Sequence, residues 1–208
     1  MNAQNELIPG TNRDTSKSQW FTPRELAQKL VEWALGTEIC VQPTRVLEPS
    51  AGNGAIVRPL VAAGAEVCAI EIDERYCSDL RRELGSWNPL FCPSNFLEWG
   101  ATIAYGYDLC VMNPPYENGM DVAFILHALK FAPRVVGIFR SQLLHGVSRK
   151  RELWAHVRPT RIAFLSKRPD FGGEYGAKTD FIVCELMQRH TCERDLSVFS
   201  DKCRVEVW

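Results

Sequence analysis

The feature of this sequence that most restricts its fold is a regular alternation of short apolar runs with amphipathic segments. Apolar runs such as 65–73 and 107–113 alternate with segments such as 74–85 and 120–132, in which apolar residues recur with a helical period. The runs are typical of buried strands and the segments between them are typical of helices. Strands that are separated by helices indicate a largely parallel sheet with helices on both faces.

Seven strands are predicted, at 44–49, 65–73, 89–96, 107–113, 134–139, 161–166 and 179–187. The last six residues, CRVEVW, could add a short terminal strand. The last two of the seven strands are joined by a loop around 171–173 without an intervening helix, which predicts an antiparallel hairpin at one end of the sheet. The predicted fold is therefore α/β and doubly wound, with a mostly parallel seven-stranded sheet and a terminal antiparallel hairpin.

Length and composition indicate one domain at 20–190, a flexible segment at 1–19 and a short C-terminal extension at 191–208. The chain has 208 residues, of which 46% are apolar and 24% charged, and its net charge of −1 provides no overall field for nucleic acid or membrane. A signal peptide and a membrane span are not expected. Eight cysteines without a C-x-x-C pair favour a reducing cytoplasm and predict neither disulfides nor a metal site.

Ligands of open parallel sheets bind beyond the carboxyl ends of the strands, where the first unusual segment is LEPSAGNGAIV at 47–57. Gly52 and Gly54 allow a tight turn and close approach of a ligand. Val57 stands where the dinucleotide fingerprint requires its third glycine. Glu48 would repel a phosphate but accept hydrogen bonds from an ammonium group, which favours a cationic amino acid–nucleoside as the ligand. The alternative is a plain glycine-rich turn.

The second segment is AIEID at 69–73, at the end of the next predicted strand. An acid in this place can accept hydrogen bonds from both hydroxyls of a ribose. Glu71 is the better candidate, since Asp73 can cap the helix that follows. A surface acid at a strand end is otherwise commonplace, and its spacing from Glu48 makes it informative.

The third segment is CVMNPPYENG at 110–119, in which an apolar run ends in Asn113, Pro114, Pro115 and Tyr116. The prolines stiffen the turn and hold Asn113 extended. The Asn113 amide oxygen and the Pro114 carbonyl form a pair of acceptors for a planar primary amine, as in adenine or a carboxamide, and two acceptors free its lone pair for attack. Tyr116 offers a face for stacking. The alternative is a purely structural strand end.

Together these segments resemble the class I methyltransferases that use S-adenosylmethionine, specifically the amino-methyltransferases with an N-P-P-Y motif and most of all the DNA adenine-N6 group. The resemblance covers about 20–187, adds a T-P motif at 22–23 and a cofactor segment at 94–97, and implies a Rossmann-like methyltransferase fold. The cofactor-binding residues that it implies are Thr22, Pro23, Glu48, Ser50, Gly52, Gly54, Glu71, Ile72, Asn95 and Phe96. The catalytic residues that it implies are Asn113, Pro114, Pro115 and Tyr116.

Two departures from the family pattern stand out. Asn95 occupies a position where the family usually has Asp, so the neutral amide should hold the cofactor's adenine less strongly. The interval between 94–97 and Asn113 is too short for a target-recognition domain, and only about 20 residues follow Met187. We therefore expect no separate domain that reads the target sequence.

A basic cluster at 140–168 could bind the nucleic acid instead. It contains one acid, Glu152, and the cations Arg140, Arg149, Lys150, Arg151, Arg158, Arg161, Lys167 and Arg168. Such a cluster could follow phosphates with little sequence reading, and we predict substrate contacts by Arg149, Lys150 and Arg151. The alternative is a solvated helix face. Phe171 could equally pack on the target base or anchor the hairpin.

The resemblance implies in-line transfer of a methyl group from S-adenosylmethionine to the N6 amine of adenine in DNA, without a metal or a covalent enzyme intermediate. Two alternatives are methylation of an adenine or guanine amine in RNA and methylation of glutamine in a protein. A binding protein that keeps the fold but has lost catalysis is a third. The intact segment 113–116 argues against it.

Overall fold

A computed structural model describes residues 21–36, 44–85, 89–100, 106–171, 179–189 and 203–208. The predicted flexible segment 1–19 lies outside these residues. The helices are α1 (Arg24–Leu35), α2 (Val57–Ala62), α3 (Glu74–Leu84), α4 (Met120–Ala128) and α5 (Val147–Glu152). The strands are β1 (Arg45–Glu48), β2 (Glu66–Glu71), β3 (Leu90–Pro93), β4 (Leu109–Met112), β5 (Arg134–Arg140), β6 (Val157–Phe164), β7 (Phe181–Gln188) and β8 (Arg204–Val207). Among the described helices, none is both long and apolar enough to cross a membrane.

All eight strands belong to one sheet, in the order β3-β2-β1-β4-β5-β7-β6-β8. Strands β1 to β5 are parallel, and β7 runs antiparallel to both of its neighbours, β5 and β6. The doubly wound, mostly parallel sheet with its antiparallel hairpin is thereby confirmed. The sheet has eight strands rather than seven because β8 pairs in parallel with the second half of β6, from Arg161 to Phe164.

Alternation along the strands divides the core into two layers. In β2, Val67 and Ala69 pack in the layer that contains α1, α2 and α3. Cys68 and Ile70 point to the other face and pack in the layer that contains α4. Side chains of a strand alternate between faces, so a strand covered on both sides must be apolar throughout. This requirement explains the uninterrupted apolar runs in the sequence.

Two helices begin without the side-chain cap that nearby residues could have supplied. Helix α1 begins at Arg24 after an extended Pro23, and no side chain caps it. The Thr22 hydroxyl, two residues before the helix, instead accepts a hydrogen bond from the Asn113 amide. Helix α4 begins after Gly119, which has a left-handed conformation, and is not capped by Asp121. At α1 a tertiary hydrogen bond occupies the hydroxyl that could have capped the helix, and at α4 a glycine turn precedes the helix in place of a capping side chain.

The position of the site follows from the strand order. Strand β1 has β2 on one side and β4 on the other. The connection from β1 to β2 and the connection from β3 to β4 therefore run on opposite faces of the sheet. A crevice opens at such a point beyond the carboxyl ends of the strands. The three segments that the sequence analysis singled out follow β1, β2 and β4 and therefore meet at this crevice.

Candidate active site

A cavity of about 390 Å³ lies at the carboxyl ends of β1, β2, β3 and β4. The structure brings together nine of the predicted site residues in its wall: Ser50, Gly52, Glu71, Ile72, Asn95, Phe96, Asn113, Pro114 and Pro115. The remaining wall residues were not predicted individually as site residues, although four of them lie in the segments that the sequence analysis singled out: Phe21, Pro49, Ser94, Glu117, Asn118, Met120 and Phe124. This volume lies in the range of pockets that hold a small molecule.

The two glycines after β1 have different tasks. Gly52 lines the cavity, and its backbone N–H donates to Glu71 Oε2 at 2.7 Å. Gly54 does not line the cavity, and a Cβ atom there would lie 2.4 Å from Leu80 Cδ2 of α3. Both have positive φ, at 51° and 81°, which side-chain-bearing residues rarely adopt. Gly52 thus shapes the site directly, whereas Gly54 allows the loop to pack on α3.

The Glu71 carboxylate is held rigidly at the end of β2. Oε2 accepts from Gly52 N, and Oε1 accepts from Asp73 N at 2.9 Å. Burial raises the pKa of Glu71, although these backbone hydrogen bonds act in the opposite direction. Each oxygen keeps a further lone pair. The cavity wall therefore contains an oriented carboxylate that can accept additional hydrogen bonds.

Glu48 is completely buried and lies behind Ser50. Its Oε1 accepts from Ser50 N at 3.3 Å and from Ser50 Oγ at 3.2 Å, while Oε2 has no hydrogen-bond partner among the described residues. Burial, and then the charge of Glu71, raises the pKa of Glu48 well above its ordinary value. Ser50 lines the cavity and Glu48 does not, so a direct contact of Glu48 with a ligand remains a prediction that needs movement of Ser50.

Asn113 is fixed by contacts from three elements. Its Nδ2 donates to Thr22 Oγ1 at 3.0 Å, and its Oδ1 accepts from the Tyr116 hydroxyl. Its backbone carbonyl accepts from Ser50 Oγ at 3.1 Å. In this arrangement Nδ2 is the donor to Thr22 and Oδ1 is the acceptor from Tyr116. Oδ1 is therefore the end that can accept hydrogen bonds from a ligand.

The Tyr116 ring faces the protein interior. Its hydroxyl lies 3.2 Å from the Ile138 carbonyl, its ring packs edge-on against Phe181, and the Arg140 guanidinium lies 5.1 Å from its centre. Tyr116 does not line the cavity, so stacking on a target base remains a prediction that requires the ring to turn. Phe171 is also buried, 4.9 Å from the Phe181 ring, which favours its role as an anchor of the hairpin.

The segment after β3 forms another wall of the cavity. Asn95 Oδ1 accepts from Leu97 N at 3.2 Å, and Asn95 Nδ2 donates to Glu98 at 2.7 Å. Asn95 therefore stabilises its own turn as well as lining the cavity. Phe96 is buried with its ring centre 5.1 Å from that of Phe124. Phe124 comes from α4, and a helix position of this kind carries no local signal for a site.

The turn after Tyr116 brings α4 back over the cavity. Asn118 and Gly119 have positive φ values of 52° and 77°, and Met120 then begins the helix. An Asn-Gly pair is a strong turn signal, so the sequence does contain a sign of this reversal. Asn118 and Met120 both line the cavity as a result.

Among the described residues, acids from other elements form ion pairs with four cations of the basic cluster. The pairs, with N–O distances, are Arg140–Glu117 (3.7 Å), Arg149–Asp121 (3.1 Å), Arg161–Glu185 (2.7 Å) and Arg168–Asp180 (2.9 Å). The three predicted substrate contacts thus differ, because Arg149 binds a buried carboxylate whereas Lys150 and Arg151 are exposed. None of these three lines the cavity.

Comparison with known proteins gives no matching family model. A stretch of 42 residues is 52% identical to the ribosomal RNA small subunit methyltransferase A of Thermosynechococcus vestitus (strain NIES-2133 / IAM M-273 / BP-1). This match covers 20% of the chain and only 16% of that protein. It is a local similarity within a much longer relative.

Solved structures match over most of the chain. A Pyrococcus horikoshii protein assigned as an RNA methyltransferase matches with a TM-score of 0.70, 18% identity and coverage of 89% of this chain and 95% of that one. A type I restriction-modification methyltransferase subunit of Streptococcus thermophilus matches with a TM-score of 0.64 and 14% identity, over 83% of this chain and 45% of that one. The magnesium protoporphyrin IX methyltransferase of Synechocystis PCC 6803, with bound S-adenosylmethionine, matches with a TM-score of 0.58 and 15% identity, over 88% of this chain and 86% of that one. The chain has the fold of the class I methyltransferases.

Proposed function

We propose that this chain binds S-adenosylmethionine in the 390 Å³ cavity and transfers the methyl group to the N6 amine of adenine in DNA. One observation carries the proposal. The oriented carboxylate of Glu71 and the stiffened segment from Asn113 to Pro115 line the same cavity. A ligand held at the first is therefore within reach of an amine held at the second.

The residues of the cavity suit this cofactor. Glu71 offers two fixed oxygens to a pair of ribose hydroxyls, and Gly52 leaves the loop beside it without a side chain. Ile72, Phe96 and Phe124 supply apolar surface for a purine ring. The bound cofactor would supply a methyl group on a sulfonium, an electrophile that is already activated. The main task of the protein is then to hold the acceptor in line.

Asn113 and Pro114 would perform that task. With Nδ2 of Asn113 bonded to Thr22, Oδ1 has a lone pair that can accept a hydrogen bond from the amine. The Pro114 carbonyl is the second acceptor, and Pro115 limits movement of the turn. Two accepted hydrogen bonds localise the nitrogen lone pair away from the ring. The proton that the amine loses can pass to solvent.

The relatives support a nucleic acid as the acceptor. The restriction-modification neighbour is consistent with DNA. RNA is the second candidate, because the 42-residue match belongs to a ribosomal RNA methyltransferase and the Pyrococcus structure is assigned to RNA. Adenine presents the same amine in both polymers. Protein glutamine shares the planar amide but has no comparable support.

The test is a labelled-cofactor assay with duplex DNA, RNA and protein extract as acceptors, followed by mass spectrometry of the nucleosides. We expect N6-methyladenine in DNA. Label only in RNA would establish the second candidate, and label only in protein would reject both. Asn113→Ala should lower transfer by about 100-fold or more, as for loss of a group that acts in the transition state, with cofactor affinity unchanged. Full activity of this variant would contradict the role of the amide.

Cofactor binding is tested separately by calorimetry. Glu71→Ala should weaken the affinity for S-adenosylmethionine by about 10- to 100-fold, since it removes two charge-assisted acceptors. The matched control is Glu74→Ala, three residues further on at the exposed start of α3. Equal affinity of the two variants would place the cofactor elsewhere.

A further inference from the structure

A second cavity, of about 550 Å³, lies between α1 and α2. The proposed function places neither the cofactor nor the acceptor amine in this cavity. Its polar wall consists of Thr22, Arg24 and Gln28 from the start of α1 and Asn53 and Arg58 from the loop and helix after β1. The polar side chains converge from two elements that are far apart in sequence. We refer to it as the α1–α2 cavity.

This cavity reaches the proposed catalytic amide through one side chain. A narrow cleft of about 20 Å³ shares Thr22 and Asn53 with the α1–α2 cavity and shares Ser50 and Asn113 with the main cavity. Thr22 Oγ1 accepts from Asn113 Nδ2 at 3.0 Å. A cleft of this size has room for about one water molecule. A polymer would therefore lie across both cavities and not pass between them.

The wall of the α1–α2 cavity contains one arginine, Arg24, that has no acidic partner among the described residues, and a second, Arg58, that is paired with Glu83. Arg24 and Arg58 are the charged residues of its wall, which contains no acid. Arg58 is oriented by Glu83, at 2.6 and 2.7 Å, and by the Asn53 carbonyl at 2.6 Å. Arg24 is exposed and forms no ion pair with a described residue. Guanidinium groups beside amide and hydroxyl donors are suited to an oxyanion such as a phosphate.

The basic cluster at 140–168 supplies only part of the cationic contacts that a polynucleotide requires, and a phosphate contact in the α1–α2 cavity would add to them. Four of the cluster's cations are neutralised by acids, and the chain has a net charge of −1. A polynucleotide nevertheless requires cationic contacts to fix its register on the protein. A phosphate next to the target nucleotide must lie close to the amide that holds the target amine. Thr22 lies in the wall of the α1–α2 cavity and accepts a hydrogen bond from the Asn113 amide.

We propose that the α1–α2 cavity binds a backbone phosphate of the nucleic-acid substrate and so positions the target nucleotide against Asn113. This inference rests on the proposed function. Arg24 supplies a charge-assisted contact that adjusts to the strand, and Arg58, whose charge is offset by Glu83, supplies N–H donors in a fixed position. Both are positioning residues, because neither touches the reacting amine.

The experiment measures binding of fluorescein-labelled duplex DNA and RNA by anisotropy over a series of salt concentrations, with the full chain. Arg24→Gln should weaken binding of the preferred polymer by about 5- to 10-fold and reduce the slope of log affinity against log salt by about 1. It should raise KM for the polymer and leave kcat and cofactor affinity unchanged. The matched control is Arg82→Gln, because Arg82 is 80% exposed on α3, outside this cavity.

Weaker cofactor binding with unchanged polymer binding would overturn the inference, since the cavity would then receive the carboxylate of the cofactor's amino acid. Polymer affinity equal to that of the Arg82→Gln control would overturn it as well. If the unaltered chain methylates neither DNA nor RNA and binds neither, the proposed function fails together with this inference. If the unaltered chain methylates nucleic acid while Arg24→Gln behaves as the control does, this inference alone fails.

Discussion

The Tyr116 hydroxyl donates a hydrogen bond to Oδ1 of Asn113, the oxygen that the proposed function assigns to the substrate amine. The same hydroxyl lies near the Ile138 carbonyl, and the ring packs against Phe181. An amide oxygen has two lone pairs, so Oδ1 can accept a second hydrogen. Tyr116 therefore connects the proposed catalytic amide to the hydrophobic core.

Tyr116→Phe should separate the function of the ring from that of the hydroxyl. The ring packing is kept, and Oδ1 of Asn113 is released for the amine. We expect kcat within about threefold of the unaltered chain, less than about 1 kcal/mol, because the acceptor remains. The free energy of unfolding should fall by about 1–2 kcal/mol through loss of the hydroxyl contacts. Kinetics and urea unfolding check both values, and a 100-fold loss of kcat would show that the hydroxyl itself is required.

Glu48→Gln should change how stability depends on pH. The folded-state pKa of Glu48 is raised above its ordinary value of 4.5, so its contribution to stability is full below that value and declines as pH rises toward the folded pKa. Gln does not ionise. The variant should therefore gain stability relative to the unaltered chain between pH 4 and pH 8, by about 1.4 kcal/mol for each pKa unit. Urea unfolding at the two pH values is the measurement, and an equal difference at both would refute the prediction.

Glu185 should show the opposite pH dependence. Its burial raises the pKa, but hydrogen bonds from Arg161, Thr160 and Arg134 more than compensate and lower the pKa to about 2. The stability that it contributes is present above its ordinary value of 4.5 and is lost as pH falls through about 2. Glu185→Gln should cost about 3 kcal/mol at pH 7, since it leaves two arginines without their partner, and less at pH 3. Calorimetric unfolding at both pH values tests this expectation.

Reversal of Lys150 and Arg151 to Glu tests the exposed part of the basic cluster. The double variant should bind nucleic acid about tenfold more weakly at low salt, with a smaller effect at high salt because of screening. Its stability should stay within about 0.5 kcal/mol of the unaltered chain. Unchanged affinity in the anisotropy assay would show that Lys150 and Arg151 form a solvated helix face that does not bind the nucleic acid.

Arg149→Gln provides the matched comparison for that double variant. Arg149 binds Asp121, whose side chain is 4% exposed, so its removal leaves a buried carboxylate unpaired. We expect a loss of about 3 kcal/mol in the free energy of unfolding and little effect on nucleic-acid affinity in the folded protein. If the variant keeps full stability but binds nucleic acid more weakly, Arg149 contacts the substrate as the sequence analysis predicted.

Much of the fold and part of the site could be predicted from the sequence. The segment 65–73 was predicted as a strand and contains β2, and the segment 107–113 contains β4. Their apolar runs are long enough to indicate burial on both faces, which is a local property of the chain. Glu71 and Asn113 were then placed at strand ends by sequence position, and parallel pairing brings such ends to one edge of a sheet.

Other features of the site carry no local signal. Ser50 lines the cavity and Glu48 does not, and the predicted contact of Glu48 with the ligand stays a prediction. Phe124 enters the wall from α4, where its position in a helix gives no indication that it lines a cavity. The neutralisation of Arg149 by Asp121 joins residues 28 positions apart. Each of these depends on how packed elements meet and not on the residues around it.

By itself the sequence determined the alternation of strands and helices, the burial of the sheet on both faces and the rigid polar turn at 113–116. These follow from side-chain periodicity and from backbone restriction by proline, which act over a few residues. Only the tertiary structure decided that Tyr116 turns inward, that four cations of the basic cluster form ion pairs and that a second cavity adjoins Thr22. The physical reason is that the strand order and the two layers of helices determine which distant side chains come into contact.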